Sequence, residues 1–180
     1  MTFKDHVSTM TESYGFKLIT SENWNEPDNT TVRFTCPLDY NEKCGYPPYL
    51  DRILKPQLNS EVPIEIRRLF EVARGAMVYS YFFYPLYTLA SDQLFRVGEA
   101  ALVLKSKKIG YSKKDVRLSA LIKYLKEKEV FDEERAKRWE ALRFLRNKAS
   151  HRQDQSIYWP AAVLELLENI TEDINALYPY

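Results

Sequence analysis

From Glu61 to the C-terminus, apolar side chains return three and four residues apart, and this 3.6-residue period constrains the fold more than anything else in the chain. Five stripes follow one another. Ile66, Leu69, Phe70, Ala73, Ala76 and Met77 form the first, and Ala90, Leu94, Val97, Ala101 and Leu104 the second. Leu118, Leu121, Ile122 and Leu125 form the third. Ala136, Trp139, Leu142, Leu145 and Ala149 form the fourth, and Val163, Leu167, Ile170, Ile174 and Leu177 the fifth. Breaks and starts fall between them. Pro85 and Gly110 interrupt, Ser112-Lys113-Lys114-Asp115 reads as a capping box, and Asp132-Glu133-Glu134 places negative charge in a first turn. Pro160 suits the first turn of the last helix.

Amphipathic helices joined by short loops must cover one another's apolar stripes. The spacing therefore predicts an all-α fold, an antiparallel helical bundle of about five helices over residues 61–180. Glycine is scarce, with 5 in 180 residues, and 28% of residues are charged, which also favours helices over turn-rich sheets. Residues 1–60 read differently. Prolines stand at 27, 37, 47, 48 and 56, with β-prone pieces around Phe16 to Thr20 and Thr31 to Thr35, so an irregular N-terminal arm or small subdomain with a short β-hairpin is expected there.

Seventeen residues from Gly75 to Ser91 carry no charge and include Tyr79, Tyr81, Phe82, Phe83, Tyr84 and Tyr87. That length sits at the lower limit for a bilayer span. The tyrosine hydroxyls and Pro85 suit a buried helix pair or a dimer surface better, so no membrane association is expected. Two cysteines, Cys36 and Cys44, make no disulfide framework, and two thiols seven residues apart fall short of a structural zinc site without His6 or carboxylates. No metal or other cofactor is expected. No apolar run follows Met1, and a reducing cytoplasm is the expected home.

The net charge of +1 hides a strong asymmetry. Residues 96–152 hold 17 Lys and Arg against 8 Asp and Glu, whereas residues 153–180 hold no Lys or Arg and 5 acidic residues. A basic face attracts phosphate-bearing partners, although a Lys-rich helix surface can also be simply a solvated one. Within the basic segment lies Arg146-Asn147-Lys148-Ala149-Ser150-His151, which holds one of only two histidines. On a helix Asn147 and His151 stack on one side, and Arg146 and Ser150 stack about 100° away. Arg143, Lys148 and Arg152 add charge around them. Arginine offers a bidentate fork to phosphate and histidine titrates near neutral pH. The same residues admit a structural role, with His151 capping the last carbonyls and Arg146 in a surface ion pair. Asp92, Arg96 and Glu99 likewise read either as an intrahelical ion-pair ladder or as a polar wall facing a neighbouring helix.

No P-loop, dinucleotide-binding glycine motif, H-E-x-x-H or G-x-S-x-G occurs, so the common nucleotide, zinc-protease and hydrolase signatures are missing. Leu145 to His151 instead resembles the R-x(4 to 6)-H signature of HEPN domains (higher eukaryotes and prokaryotes nucleotide-binding), in which a polar residue, often Asn, follows the arginine. Helices at roughly residues 86–108, 115–128, 132–150 and 158–177 match the family's bundle, with the motif late in the third. Phe95-Arg96-Val97-Gly98-Glu99-Ala100-Ala101 is similar to the acidic early helix of many members. The resemblance covers about two-thirds of the chain and leaves residues 1–60 aside.

That resemblance implies a metal-independent endoribonuclease, acting on RNA as a homodimer, in the manner of a toxin or phage-defence effector with an antitoxin or other protein partner. It implies proton transfer by His151, phosphate binding by Arg146 and orientation by Asn147. Ser150, Arg143, Lys148, Arg152, Arg96 and Glu99 would bind substrate or support those three. The alternative is a non-catalytic module of the same fold that binds nucleic acid, nucleotide or a protein partner, since fold alone does not fix activity. A purely structural helical dimer, packed through the aromatic run, is a third.

Overall fold

Helical periodicity alone does not say which helix is central, and packing decides it in favour of the longest. The computed structural model describes residues 16–35, 46–150 and 158–180. Among these, seven α-helices form and no strand does: α1 (Asn29–Thr35), α2 (Tyr46–Leu54), α3 (Ile64–Tyr79), α4 (Leu86–Lys108), α5 (Leu118–Glu127), α6 (Glu133–Ser150) and α7 (Pro160–Leu177). Helix α4 packs against α3, α5, α6 and α7, so its stripe is covered on several sides. Ala90, Leu94, Val97, Ala101 and Leu102 are fully buried along it.

The five helices expected from the stripes are all present. The arm differs from expectation. Thr31 to Thr35 is the last part of α1, not a strand, and Lys17 to Thr20 is irregular. Asp28 is the cause: its Oδ1 accepts the Thr30 N–H at 2.9 Å and its carbonyl the Val32 N–H at 2.9 Å, an N-terminal cap that overrides the β preference of Thr and Val. The same buried carboxylate accepts the Tyr84 N–H at 3.1 Å, and the Asp28 N–H donates to the Tyr81 carbonyl at 2.9 Å. Arm and helical turn are thus tied by one aspartate.

The uncharged aromatic stretch folds inward as the end of α3, a turn and the start of α4. Tyr87 donates to the Tyr49 hydroxyl at 2.7 Å, Tyr49 and the Ser80 hydroxyl lie 2.7 Å apart, and the Tyr49 hydroxyl donates to the Met77 carbonyl. Burial and the neighbouring Tyr49 push the Tyr87 hydroxyl far above its usual range, so it stays neutral at every physiological pH. Satisfied hydroxyls make a buried aromatic cluster a stabilising one. Arg74, also buried, donates from Nε to the Ile53 carbonyl and from Nη2 to the Leu54 carbonyl, closing the end of α2. Among the described residues no helix is long and apolar enough to cross a membrane.

Two helix ends set the ground for the site. At the end of α4, Gly110 takes φ +95°, its N–H donates to the Lys107 carbonyl, and the Tyr111 N–H reaches back to Ser106 at 2.9 Å. This is a Schellman closure, and it needs a residue that tolerates the left-handed region. The end of α5 repeats it with Glu129 at φ 54°, Val130 donating to the Leu125 carbonyl at 3.0 Å. The sequence Ser112 to Asp115 does not start a helix as a capping box would. Asp115 is instead claimed by Arg117, whose N–H and guanidinium both donate to it, and α5 begins only at Leu118 with no side-chain cap. Asp132 does cap α6, accepting the Arg135 N–H at 2.8 Å.

On the far side of α6, Arg138 reaches Glu172 at 3.1 Å and Asp173 at 3.2 Å on α7. Burial pushes the Asp173 carboxyl up to about 6 against the pull of Arg138. The native state therefore holds this proton to a higher pH than the unfolded chain does, and its stabilising effect is present below about pH 4 and lost as pH rises through 6. Thermal melts across that window should show a descending contribution that Asp173→Asn removes. Glu129→Gly should raise the free energy of unfolding by about 1 kcal/mol, because a left-handed side chain is relieved; chemical denaturation with an unchanged slope would measure it.

Candidate functional site

The site begins with a missing side chain. Gly98 on α4 is buried, and a Cβ there would lie 3.3 Å from Leu142 and 3.3 Å from Trp139, both on α6. Only glycine lets the two helices approach this closely without displacing those side chains. Beyond the crossing, the stripe of α6 changes character. A step of three residues turns the helix by 300°, so Ala136, Trp139 and Leu142 drift steadily, and a further step of three would carry Leu145 off the buried side. Leu145, expected in the core, is 40% exposed, and the step of four puts Arg146 on the side that faces Glu99 of α4.

Arg146 meets Glu99, the residue after Gly98, with Nε 2.8 Å from Oε1. Its Nη1 lies 3.4 Å from Asn147 Oδ1. Two open clefts share this pair as a common wall. The larger, about 460 Å³, is bounded by Glu99 and Val103 of α4, Val116 and Arg117 of the connection, Leu118 and Ser119 of α5, and Arg143, Arg146 and Asn147 of α6. The smaller, about 210 Å³, has Asp92, Phe95 and Arg96 on one side and Ala149 and Ser150 on the other. Burial raises the Asp92 carboxyl, with Arg96 one turn along opposing the shift.

Three arginines border the larger cleft, and each has a carboxylate beside its Nε. Arg146 is held by Glu99 at 2.8 Å, Arg143 by Glu140 at 2.6 Å and Arg117 by Asp115 at 2.9 Å. Each carboxylate occupies one edge and fixes the plane of the group. No hydrogen bond among the described residues uses Nη1 or Nη2 of Arg143, Nη2 of Arg146 or Nη1 of Arg117. A guanidinium has five N–H donors, so anion-binding capacity is left over at the terminal nitrogens. Arg117 holds Asp115 down to about 2.

Of the residues singled out from sequence, Arg146, Asn147, Arg143 and Glu99 border the larger cleft, and Ser150, Arg96, Glu99 and Arg146 the smaller. Ser150 donates back to the Arg146 carbonyl at 3.0 Å. Lys148 is exposed and borders neither. His151 and Arg152 lie outside the described residues, so α6 is described only to Ser150. Glu99 faces α6 across the crossing and is not an exposed rung of a ladder within α4. Arg117, Ser119, Val103, Val116 and Leu118 were not anticipated. Nothing in their spacing brings the connection before α5 against α6; only the basic excess over residues 96–152 includes Arg117. No group of three or more His, Cys, Asp or Glu among the described residues could hold a metal ion.

Comparisons with protein-family models, with curated proteins and with solved structures give no match to this chain. Gly98→Val should push α6 outward, cost about 1 to 3 kcal/mol by overpacking, and uncouple Glu99 from Arg146. A lowered melting temperature, together with a loss of the coupling between Glu99→Gln and Arg146→Gln in a double-mutant cycle, would register both effects.

Proposed function

We propose that the chain is a metal-independent endoribonuclease of HEPN type, acting as a two-fold dimer whose composite site takes Arg146 and His151 from each copy. The observation that carries this reading is the convergence of Arg146, Arg143, Arg117 and Asn147 on one open cleft at the end of α6, where the chain leads directly into His151. The reading keeps the core helices as an antiparallel bundle and assigns the cytoplasm as the place where RNA is met.

Cleavage starts with a ribose 2′-hydroxyl attacking the adjacent phosphorus. The histidine of one copy accepts the 2′-oxygen's proton, and a new P–O bond forms. The protonated histidine of the other copy donates to the departing 5′-oxygen as that P–O bond breaks, leaving a 2′,3′-cyclic phosphate and a 5′-hydroxyl. A single chain offers one histidine near the motif, and a two-fold axis supplies the second. Arg146 stabilises the additional negative charge of the phosphorane through its terminal nitrogens, its Nε edge being held by Glu99. Asn147 orients substrate or imidazole. Such a site calls for no metal.

A second reading has its own observation. Arg146 is already paired with Glu99 at 2.8 Å, which suits a non-catalytic module that binds nucleic acid, nucleotide or a protein partner through the remaining arginines. A protein that inhibits by covering the cleft, as an antitoxin does, fits either reading.

Purified protein incubated with RNA in EDTA should leave cyclic or 3′-phosphate ends, and His151→Ala should lower the rate by about 10²-fold or more while the circular dichroism spectrum is kept. Equal cleavage by that variant overturns the assignment of His151. Absence of cleavage at any protein concentration, with RNA affinity reduced and its salt dependence flattened by Arg146→Ala, selects the binding module.

A further inference from the structure

We propose that the larger cleft is a recognition subsite for the nucleotide next to the scissile bond, with Val116 and Val103 receiving its base and Arg143 and Arg117 its phosphate. The proposal rests on the ribonuclease reading for its place in the reaction, and on the cleft itself for its chemistry.

The cleft has two kinds of wall. One is cationic: Arg143 on α6 and Arg117, just before α5, stand on separate elements, each with a carboxylate on its Nε side and terminal N–H donors left over, Arg143 half-buried and Arg117 mostly exposed. Two guanidinium groups so held suit the bidentate recognition of phosphate oxygens. The other wall is apolar: Val103 on α4, with Val116 and Leu118 flanking Arg117, lines the same space. Val116 is 54% exposed between the charged side chains of Asp115 and Arg117. Apolar walls give an inorganic anion nothing, but they shelter the faces of a planar heterocycle. The volume of about 460 Å³ falls in the range of small-ligand sites and exceeds what a bare phosphate requires.

Asn147 and Ser119 complete the lining with an amide and a hydroxyl, groups able to read the edge of a base. The apolar side carries no aromatic ring for stacking, so discrimination falls to shape and to these two polar groups. The wall bearing Val116 and Arg117 is itself fixed: Tyr111 donates its hydroxyl to the Asp115 carbonyl at 2.5 Å, and Gly110 sets the chain's exit from α4. These contacts fix the course of the backbone that carries Val116 and Arg117.

Isothermal titration of the whole protein with uridine monophosphate, adenosine monophosphate, uridine and inorganic phosphate tests this directly. Expected is binding of at least one monophosphate ten-fold or more tighter than either phosphate or nucleoside. Val116→Asp, a change at an exposed position, should remove most of that advantage, and Arg143→Gln should weaken monophosphate and phosphate together. Equal affinity for phosphate and nucleotide, or an unaltered nucleotide affinity in both Val116→Asp and Val103→Asp, overturns the subsite. If Val116→Asp melts early, Arg117→Gln carries the same test, with unchanged nucleotide affinity overturning the phosphate assignment. Cleavage of dinucleotides separates the two readings. Nucleotide binding as described without any RNA cleavage leaves the subsite standing and removes the ribonuclease. RNA cleavage with the same base preference in wild type and Val116→Asp keeps the ribonuclease and removes the subsite.

Discussion

The close crossing of α4 and α6 at Gly98 is the constraint on which the rest of the site depends. Helices usually pack 8 to 10 Å apart, with separation set by the side chains between them. Here Trp139 and Leu142 press on a residue with no side chain, and the next residue along, Glu99, is brought within reach of Arg146. A side chain at 98 would crowd Leu142 and Trp139, and a branched one would push α6 away from α4 and strain the approach of Arg146 to Glu99. The ion pair follows from packing and does little to cause it, since pairs this exposed contribute about 0 to 1 kcal/mol.

Around this crossing, local constraints act in series. The left-handed turn at Gly110 directs the chain out of α4, and the Arg117–Asp115 clamp delays the start of α5 until Leu118. Val116 and Arg117 consequently stand opposite Arg143 across an open space. Asp132 fixes where α6 starts, and along that helix Arg146 is the residue that reaches Glu99 of α4. Within the basic segment, Arg117, Arg143 and Arg146 are the cations that border this space, whereas Arg138 pairs with Glu172 and Asp173 on α7 and Lys105 lies over the Tyr178 ring. Each of the three arginines bordering the space has a carboxylate on its Nε side.

Much of the helical scaffold was legible because burial imposes a period, and Val163, Leu167, Ile170, Ile174 and Leu177 lie buried where the spacing puts them. The misreadings share a physical origin: local geometry and local hydrogen bonds settled what the letters alone left open. Thr31 to Thr35 has strand-forming side chains but is helical because Asp28 caps it. Ser112 to Asp115 has the letters of a capping box, but Arg117 claims the carboxylate. Leu145 fits a stripe of threes, yet the helix turns too slowly to keep it buried. At the site, the motif pointed to Arg146 and Asn147 and charge pointed to Arg143, whereas Val103, Val116 and Arg117 needed the fold to bring them together.

Trp139 at the crossing gives the chain a built-in optical probe. It is 1% exposed, whereas Trp24 and Trp159 are 63% and 66% exposed. Red-edge excitation, iodide quenching and emission wavelength therefore separate one shielded indole from two that water reaches. The shielded one lies on Gly98, one residue from Glu99, where α4 and α6 cross. Spectral changes confined to the unquenched component report on that helix pair alone.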